Sequence, residues 1–136
     1  MKAEELMIGD IVMTPSGDIS RVTQIVKDGY GVYVAVMNDK FNYYVDGIDG
    51  VHLTEAMLYA NGYQREVVAD TIHFVSPDRR LILQNDVRYL NSNRDWYIHI
   101  DSTAMSTIGS AEFTYVHELQ HILRLFGFDT DLKLEP

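Results

Sequence analysis

The sequence predicts an α+β fold that is mostly antiparallel β, with an SH3-like N-terminal barrel or meander, one short middle helix and a C-terminal amphipathic helix. Short apolar segments rich in β-branched residues are separated by turn residues through the first half, as in hairpin-linked strands. Apolar residues at helical spacing recur in the middle of the chain and near its end. We expect residues 1–53 to form the meander and residues 54–136 to form the rest, with one core shared between them.

The N-terminal strands are predicted from apolar segments that lie between turn signals. Asp28-Gly29 is a hairpin signal, and Pro15 opens a turn with the sequence PSGD. Strands are predicted over residues 8–14, 19–26, 32–37 and 41–45. Their succession predicts a meander that resembles a small SH3-like barrel, which is a likeness of fold and says nothing about function.

The second part of the chain combines two helical segments with further strands. The middle helix is predicted near residues 54–61, because Thr54 suits the N-cap and Gly62 suits the left-handed position after the last turn. Antiparallel strands are predicted over residues 70–76, 81–85 and 95–101. The C-terminal amphipathic helix is predicted near residues 114–126.

Composition limits the classes of function. The chain has 136 residues and is 46% apolar, which suits one compact domain or two small subdomains. It has no cysteine, which excludes disulfides and thiolate chemistry. Its net charge of −9 opposes contact with phosphate backbones, so nucleic acid is not an expected partner. No apolar run approaches the roughly 18 residues that a membrane span needs, and the expected compartment is the cytoplasm.

One short stretch points directly at chemistry. In VHELQH, His117, Glu118 and His121 match the H-E-x-x-H pattern of zinc-dependent hydrolases. In such enzymes the two histidines bind zinc and the glutamate is the general base for the metal-bound water. The stretch therefore supports a zinc-dependent hydrolase as one interpretation.

The same stretch also fits an ordinary surface helix. Helical spacing places His117, His121 and Arg124 on one face, and a wide apolar stripe lies opposite. We then expect the polar face in water, with Thr114 as the N-cap. A catalytic zinc needs a third protein ligand, and the sequence identifies none. A structural role for the stretch, without metal, is the simpler expectation.

Aromatic and basic residues on predicted strands and one polar loop form a candidate protein-contact surface. Tyrosine and tryptophan are enriched in protein interfaces, and nine tyrosines are present. The alternative is that most of these rings fill the core. The candidate residues are Tyr43, Tyr44, Arg88, Arg94, Trp96 and Tyr97.

Three separated segments, MKAEELMIGDIV, HLTEAMLYANGY and TYVHELQHILRLFGFDTDL, resemble a group of small proteins from Bacteroidetes genomes and their phages or mobile elements. Members of that group read ELRIGNLV, then PLTEEWLLKFGF, then YVHQLQNLYFALTGEEL. The resemblance covers both ends and the middle of the chain, and it implies a shared architecture without catalytic residues. In the group's pattern Gln stands at the position of Glu118 and Asn at that of His121, unlike a zinc-peptidase family.

Two hypotheses of different classes follow. The first is a non-enzymatic accessory protein of a phage or mobile-element lineage that binds another protein. The alternative is a zinc-dependent hydrolase with His117 and His121 as ligands and Glu118 as general base. A small nucleic-acid-associated barrel is a third option, which the net charge opposes.

Overall fold

The computed structural model of the chain describes residues 5–85, 94–101, 107–130 and 132–133. Within these ranges the fold is α+β with two five-stranded antiparallel sheets, which confirms the predicted class. The described strands do not close either sheet into a barrel. The described residues form two compact units: one contains the residues up to His52 and those from Tyr115 onward, and the other contains Leu53–Thr114.

The sheet of the first unit is a meander with one added strand at its edge. Its strands are β1 (Ile11–Met13), β2 (Ile19–Asp28), β3 (Gly31–Val36), β4 (Asn42–Tyr44) and β5 (Asp49–Gly50), in the order β4-β3-β2-β1-β5. A single 3₁₀ turn, Val45–Gly47, leads from β4 to β5. The four strands predicted from sequence in this region are confirmed as β1 to β4.

The long strand β2 pairs with β1 near its start and with β3 over the rest of its length. The pairing register with β3 shifts between Val22 and Gln24, which is an irregularity of the kind that bends a strand. One side of this sheet covers the core of the unit, because inward-pointing residues alternate with outward-pointing ones along each strand. The core consists of Leu6, Val12, Val22, Val34, Val36 and Ile48.

The C-terminal helix α2 (Val116–Leu125) belongs to the first unit. The chain returns to this unit where the amide of Val116 donates to the carbonyl of Val51, at 2.8 Å. Val116, Leu119 and Leu123 are buried. The expected second part, residues 54–136, contained this helix. The structure groups it with the N-terminal strands because its buried side chains and polar contacts are made there.

Gln120 is the main polar link between α2 and the rest of the first unit. Its side chain is fully buried, and its Oε1 accepts a hydrogen bond from the amide of Ile11 at 2.8 Å. Its Nε2 donates to the carbonyls of Gly9 and Thr130, at 3.0 and 3.2 Å. A buried amide is tolerated when its hydrogen-bonding groups are satisfied. Gln120 therefore joins the start of β1, the helix and the segment that follows it.

The second unit contains a short helix and the second sheet. Helix α1 (Glu55–Ala60) has Thr54 as its N-cap, which accepts from the amide of Met57 at 3.2 Å, as predicted. Leu58 is buried and the ring of Tyr59 lies edge-on to Phe74. The strands are β6 (Gln64–Val68), β7 (Thr71–Val75), β8 (Leu81–Gln84), β9 (Trp96–Asp101) and β10 (Thr107–Phe113), in the order β10-β9-β8-β7-β6.

The two edge strands of this sheet, β6 and β10, were not predicted from sequence. Their sequences are QREVV and TIGSAEF, which lack the apolar alternation of a half-buried strand. The inner strands β7, β8 and β9 carry that alternation and confirm the predicted ones. Their core side contributes Phe74, Leu83, Ile98 and Ile100, together with Phe113 from β10.

We expect Gln120→Leu to destabilise the first unit by about 3 kcal/mol, because it leaves the buried amide of Ile11 without an acceptor. The variant keeps most of the side-chain volume, so the loss reports the hydrogen bonds rather than a cavity. The measurement is urea denaturation followed by circular dichroism, together with hydrogen exchange of the Ile11 amide, which should accelerate. The matched control is Leu125→Ala on the exposed side of the same helix, with an effect of about 0.5 kcal/mol or less. Equal stabilities of the two variants would contradict the role given to Gln120.

Candidate functional site

The first turn of α2 uses Glu118 as a capping residue. Oε1 of Glu118 accepts a hydrogen bond from the amide of Tyr115 at 3.0 Å, and Tyr115 is the N-cap of the helix. This is the carboxylate half of a capping box, which satisfies an amide that the helix itself leaves unbonded. The N-cap predicted from sequence, Thr114, lies one residue earlier and the prediction is wrong. Glu118 therefore caps the start of the helix.

His117 is buried in the first unit, with 3% of its surface exposed. Its ring is stacked on that of Tyr115, with centroids 5.6 Å apart and planes inclined by 12°. Tyr115 in turn lies against Gly50, where a Cβ atom would come within 2.6 Å of the ring. The expectation of a solvent-facing polar side is therefore wrong for His117, because strand β5 and Tyr115 cover this side of the helix start.

His121 forms an ion-pair contact with a fully buried carboxylate. Its Nε2 lies 2.7 and 2.9 Å from the two carboxylate oxygens of Asp10. Asp10 also accepts from the amide of Met7 at 2.7 Å. A buried carboxylate is tolerated only when it is paired and hydrogen-bonded, and these two contacts supply that. His121 therefore fixes the turn before β1 onto α2.

These side chains do not form a ligand set for a catalytic zinc. Such a site needs three protein ligands and an open position. In the part of the chain that the structure describes, no group of three or more His, Cys, Asp or Glu side chains is placed to hold a metal ion. The rings of His117 and His121 are inclined by 72°, with centroids 5.8 Å apart. Arg124, one turn further on, contacts the sulfur of Met7.

We expect the full chain, purified without a histidine tag, to bind no stoichiometric zinc when the metal is added. The reason is that Glu118 caps the helix, His121 contacts Asp10 and the described residues provide no third ligand. The measurement is calorimetric titration with zinc, followed by metal analysis after dialysis. The matched controls are His117→Gln and His121→Gln. One tightly bound equivalent that both controls abolish would contradict this expectation.

A second candidate site lies on the outer side of the first sheet. Register places Val26 opposite Tyr33, and Tyr33 opposite Tyr44, so these three side chains lie side by side on one face. Their neighbours Ile25, Val34 and Tyr43 form the adjacent row on the core side. We call the outer row of Val26, Tyr33 and Tyr44 the aromatic face.

Tyr33 and Tyr44 form a close pair on the aromatic face. Their ring centroids are 4.7 Å apart with the planes inclined by 37°, and the two hydroxyls are 3.4 Å apart. Gly31 lies beside the pair, with φ of +147° and its Cα next to the Tyr44 ring. The hydrogen bond to Tyr44, then burial and the charge of Asp28, raise the pKa of Tyr33 to about 12. The proton of the Tyr33 hydroxyl is thus held more tightly than in an ordinary tyrosine.

Exposed aromatic side chains also lie at both ends of β3. Tyr30, in the turn between β2 and β3, is 90% exposed, and Phe41, before β4, is 70% exposed. Tyr44 itself is 60% exposed. Single exposed apolar residues are common, and Tyr44 is the one of these three that the register places on the aromatic face. Sequence reasoning missed Tyr30, Tyr33 and Phe41, although the Asp-Gly signal could have located Tyr30 at a turn tip.

The residues of the predicted contact surface that the structure describes differ in burial. Tyr44 lies on the aromatic face, whereas Tyr43 packs against the core and its hydroxyl donates to Asp39. Trp96 is 4% exposed and packs between Phe74 and Phe113, so its prediction as a contact residue is wrong.

Two further predicted contact residues, Tyr97 and Arg94, belong to the second unit. Tyr97 follows Trp96 on β9 and is half-buried, with its ring edge-on to His99. Arg94 is half-buried before β9, and Arg88 lies outside the described residues. Strand alternation explains the difference between Trp96 and Tyr97, because successive side chains point to opposite sides of a sheet.

Comparison with known proteins adds no assignment to these sites. No protein-family model, curated protein or solved structure matches the chain significantly. Among the described residues, no helix is long and apolar enough to cross a membrane.

We expect Tyr44→Phe to lower the pKa of Tyr33 from about 12 toward the ordinary tyrosine value, because the hydroxyl of Tyr44 is the largest cause of the increase. A raised pKa means that the folded state holds the proton more tightly. The stabilisation from this contact is therefore present at neutral pH and is lost as the pH rises toward 12. The measurement is a pH titration of the tyrosine Cζ resonances by carbon-13 NMR. Tyr59→Phe, in the second unit, is the control and should leave Tyr33 unchanged.

Proposed function

We propose that the chain is a non-enzymatic protein-interaction module that binds a partner protein through the aromatic face. The observation that carries the proposal is the adjacent pair of Tyr33 and Tyr44 on the outer side of the sheet, with the ring of Tyr44 exposed. Tyrosine rings contribute a large contact area with few rotatable bonds, so ordering them on binding costs little entropy. A sheet face that keeps such rings in water is suited to being covered by a partner.

We propose no catalytic role for the VHELQH stretch, because three of its side chains have partners within the fold. Glu118 caps the helix, His121 contacts the carboxylate of Asp10 and Gln120 bonds to three main-chain groups. These contacts support a folding role for Glu118, Gln120 and His121. The zinc-dependent hydrolase stays the alternative that the H-E-x-x-H match offers.

We further propose that the first unit is a variant of the SH3-like barrel. The strand order β4-β3-β2-β1-β5, the long irregular β2 and the single 3₁₀ turn between β4 and β5 support this assignment. The lineage is also part of the proposal: the resemblance to a group from Bacteroidetes phages and mobile elements favours an accessory protein of such an element. A chain without cysteine and with a net charge of −9 suits the cytoplasm.

The test measures how tightly the chain binds a partner protein that has first been identified and then purified. Proteins that co-purify with the chain from its source cells are identified by mass spectrometry, and each is produced separately and titrated by calorimetry. We expect Tyr44→Ser to raise the Kd about tenfold, which is typical of losing a central tyrosine from an interface.

The matched control for this test is Val67→Thr, an exposed position on the edge strand β6 of the second unit. It should leave the Kd unchanged, and both variants should keep the circular dichroism spectrum of the unmodified chain. A purified partner whose Kd is the same for all three proteins would show that the aromatic face is not the binding surface. The proposal would also be contradicted if no purified partner binds the unmodified chain more tightly than it binds the Tyr44→Ser variant.

A further inference from the structure

We infer that the segment recognised by the aromatic face is a basic peptide whose arginine side chains stack on Tyr33 and Tyr44, with Asp28 as the matching charge. This inference rests on the proposed function and adds the chemistry of the partner. Its basis is the combination of the exposed ring of Tyr44, the half-buried ring of Tyr33 beside it and a fixed carboxylate on the same sheet.

The tyrosine pair offers a surface for a planar cation. Rings that are tilted by 37° and joined through their hydroxyls cannot stack fully on each other, so ring surface stays open to solvent. A guanidinium group stacks on such a face more favourably than an ammonium group, because it is planar and less strongly hydrated. A phenol ring supplies a π-face but no formal charge at neutral pH, so the matching negative charge has to come from a neighbour.

Asp28 is that neighbour. It ends β2, and its Oδ1 accepts from the amides of Tyr30 and Gly31 at 2.7 and 3.2 Å, which fixes the carboxylate at the turn. Asp28 pairs with Gly31 and follows Val26 by two residues on β2, so its side chain leaves the sheet on the side of the aromatic face. The carboxylate that these two amides hold in place therefore puts negative charge beside the π-surface of the tyrosine pair.

The basic residues of this sheet do not cancel that charge on the aromatic face. Lys27 pairs with Val32, so it belongs to the row that points away from Val26 and Tyr33. Lys40 lies between β3 and β4, beyond the opposite end of β3. The whole chain carries 20 acidic and 11 basic side chains, which attracts cations at longer range.

Other ligand chemistries fit less well. An acidic segment would meet the same charge at the face and across the surface. A purely apolar segment would cover the hydroxyl pair and the carboxylate of Asp28 without supplying hydrogen bonds, which is unfavourable for buried polar groups. A segment with arginine supplies both donors and a flat apolar surface.

The test uses four synthetic peptides of equal length on a Gly-Ser framework, with the variable positions filled by arginine, lysine, leucine or glutamate. Each is titrated into the full nitrogen-15-labelled chain, and amide shifts are followed by NMR. We expect the arginine peptide to shift the amides of Val26, Tyr33 and Tyr44, and to bind about two- to fivefold more tightly than the lysine peptide. Raising the salt concentration should weaken both.

Two charge variants separate the local effect of Asp28 from the net charge. Asp28→Asn keeps an acceptor for the amides of Tyr30 and Gly31 but removes the charge, and should weaken the arginine peptide about threefold. Asp49→Asn makes the same change on β5, at the far edge of the sheet, and should have little effect.

The outcomes distinguish this inference from the proposed function. If the leucine or glutamate peptide shifts the same amides as strongly as the arginine peptide, the face binds peptides but the basic partner is wrong. If none of the four shifts them, the inference is overturned, and the purified-partner titration decides the proposed function separately. Equal losses for Asp28→Asn and Asp49→Asn would leave only a net-charge effect and would also overturn it.

Discussion

The first unit depends on the buried amide of Gln120. It joins Ile11 and Gly9 to a helix that lies 109 residues later in the chain, and it also holds the carbonyl of Thr130. The amide of Ile11 lies where water is excluded and needs a partner within the protein, and the carbonyls of Gly9 and Thr130 are part-buried. A hydrophobic residue at this position could fill the space but could not satisfy them. The helix is therefore placed by polar satisfaction as well as by burial of its leucines.

The need to satisfy buried polar groups also accounts for two residues in the stretch that matches a metalloprotease motif, Gln120 and His121. A helix whose polar side is covered by the lead into β1 needs side chains that can bond to main-chain amides and to a buried carboxylate. Gln120 and His121 meet that need, and Glu118 meets the separate need of the helix start. Histidine and glutamate at such positions can bond to neighbours within the fold, and zinc sites use the same two residue types as ligands.

Much of the fold follows from local patterns, whereas burial of polar residues does not. The Thr54 cap, the Asp-Gly turn and the apolar alternation of β7 to β9 are local signals, and each is confirmed. The edge strands β6 and β10 lack such signals. Each is held by backbone hydrogen bonds to the neighbouring strand, and these bonds do not depend on the side chains. His117 and Gln120 were expected in water, since amphipathic analysis equates polar with exposed. Their burial depends on residues more than 60 positions away, which no local window contains.

The hairpin register connects the fold to the binding surface. Tyr43 and Tyr44 are adjacent and chemically identical, yet one packs on the core and the other lies in solvent, because successive strand residues point to opposite sides. A slip of one residue between β2 and β3 would exchange the rows, burying Tyr33 and exposing Val34. Asp28 helps to prevent that slip by holding the amides of Tyr30 and Gly31 in the turn. The carboxylate proposed to attract the partner is therefore also one that sets which aromatic rings the partner meets.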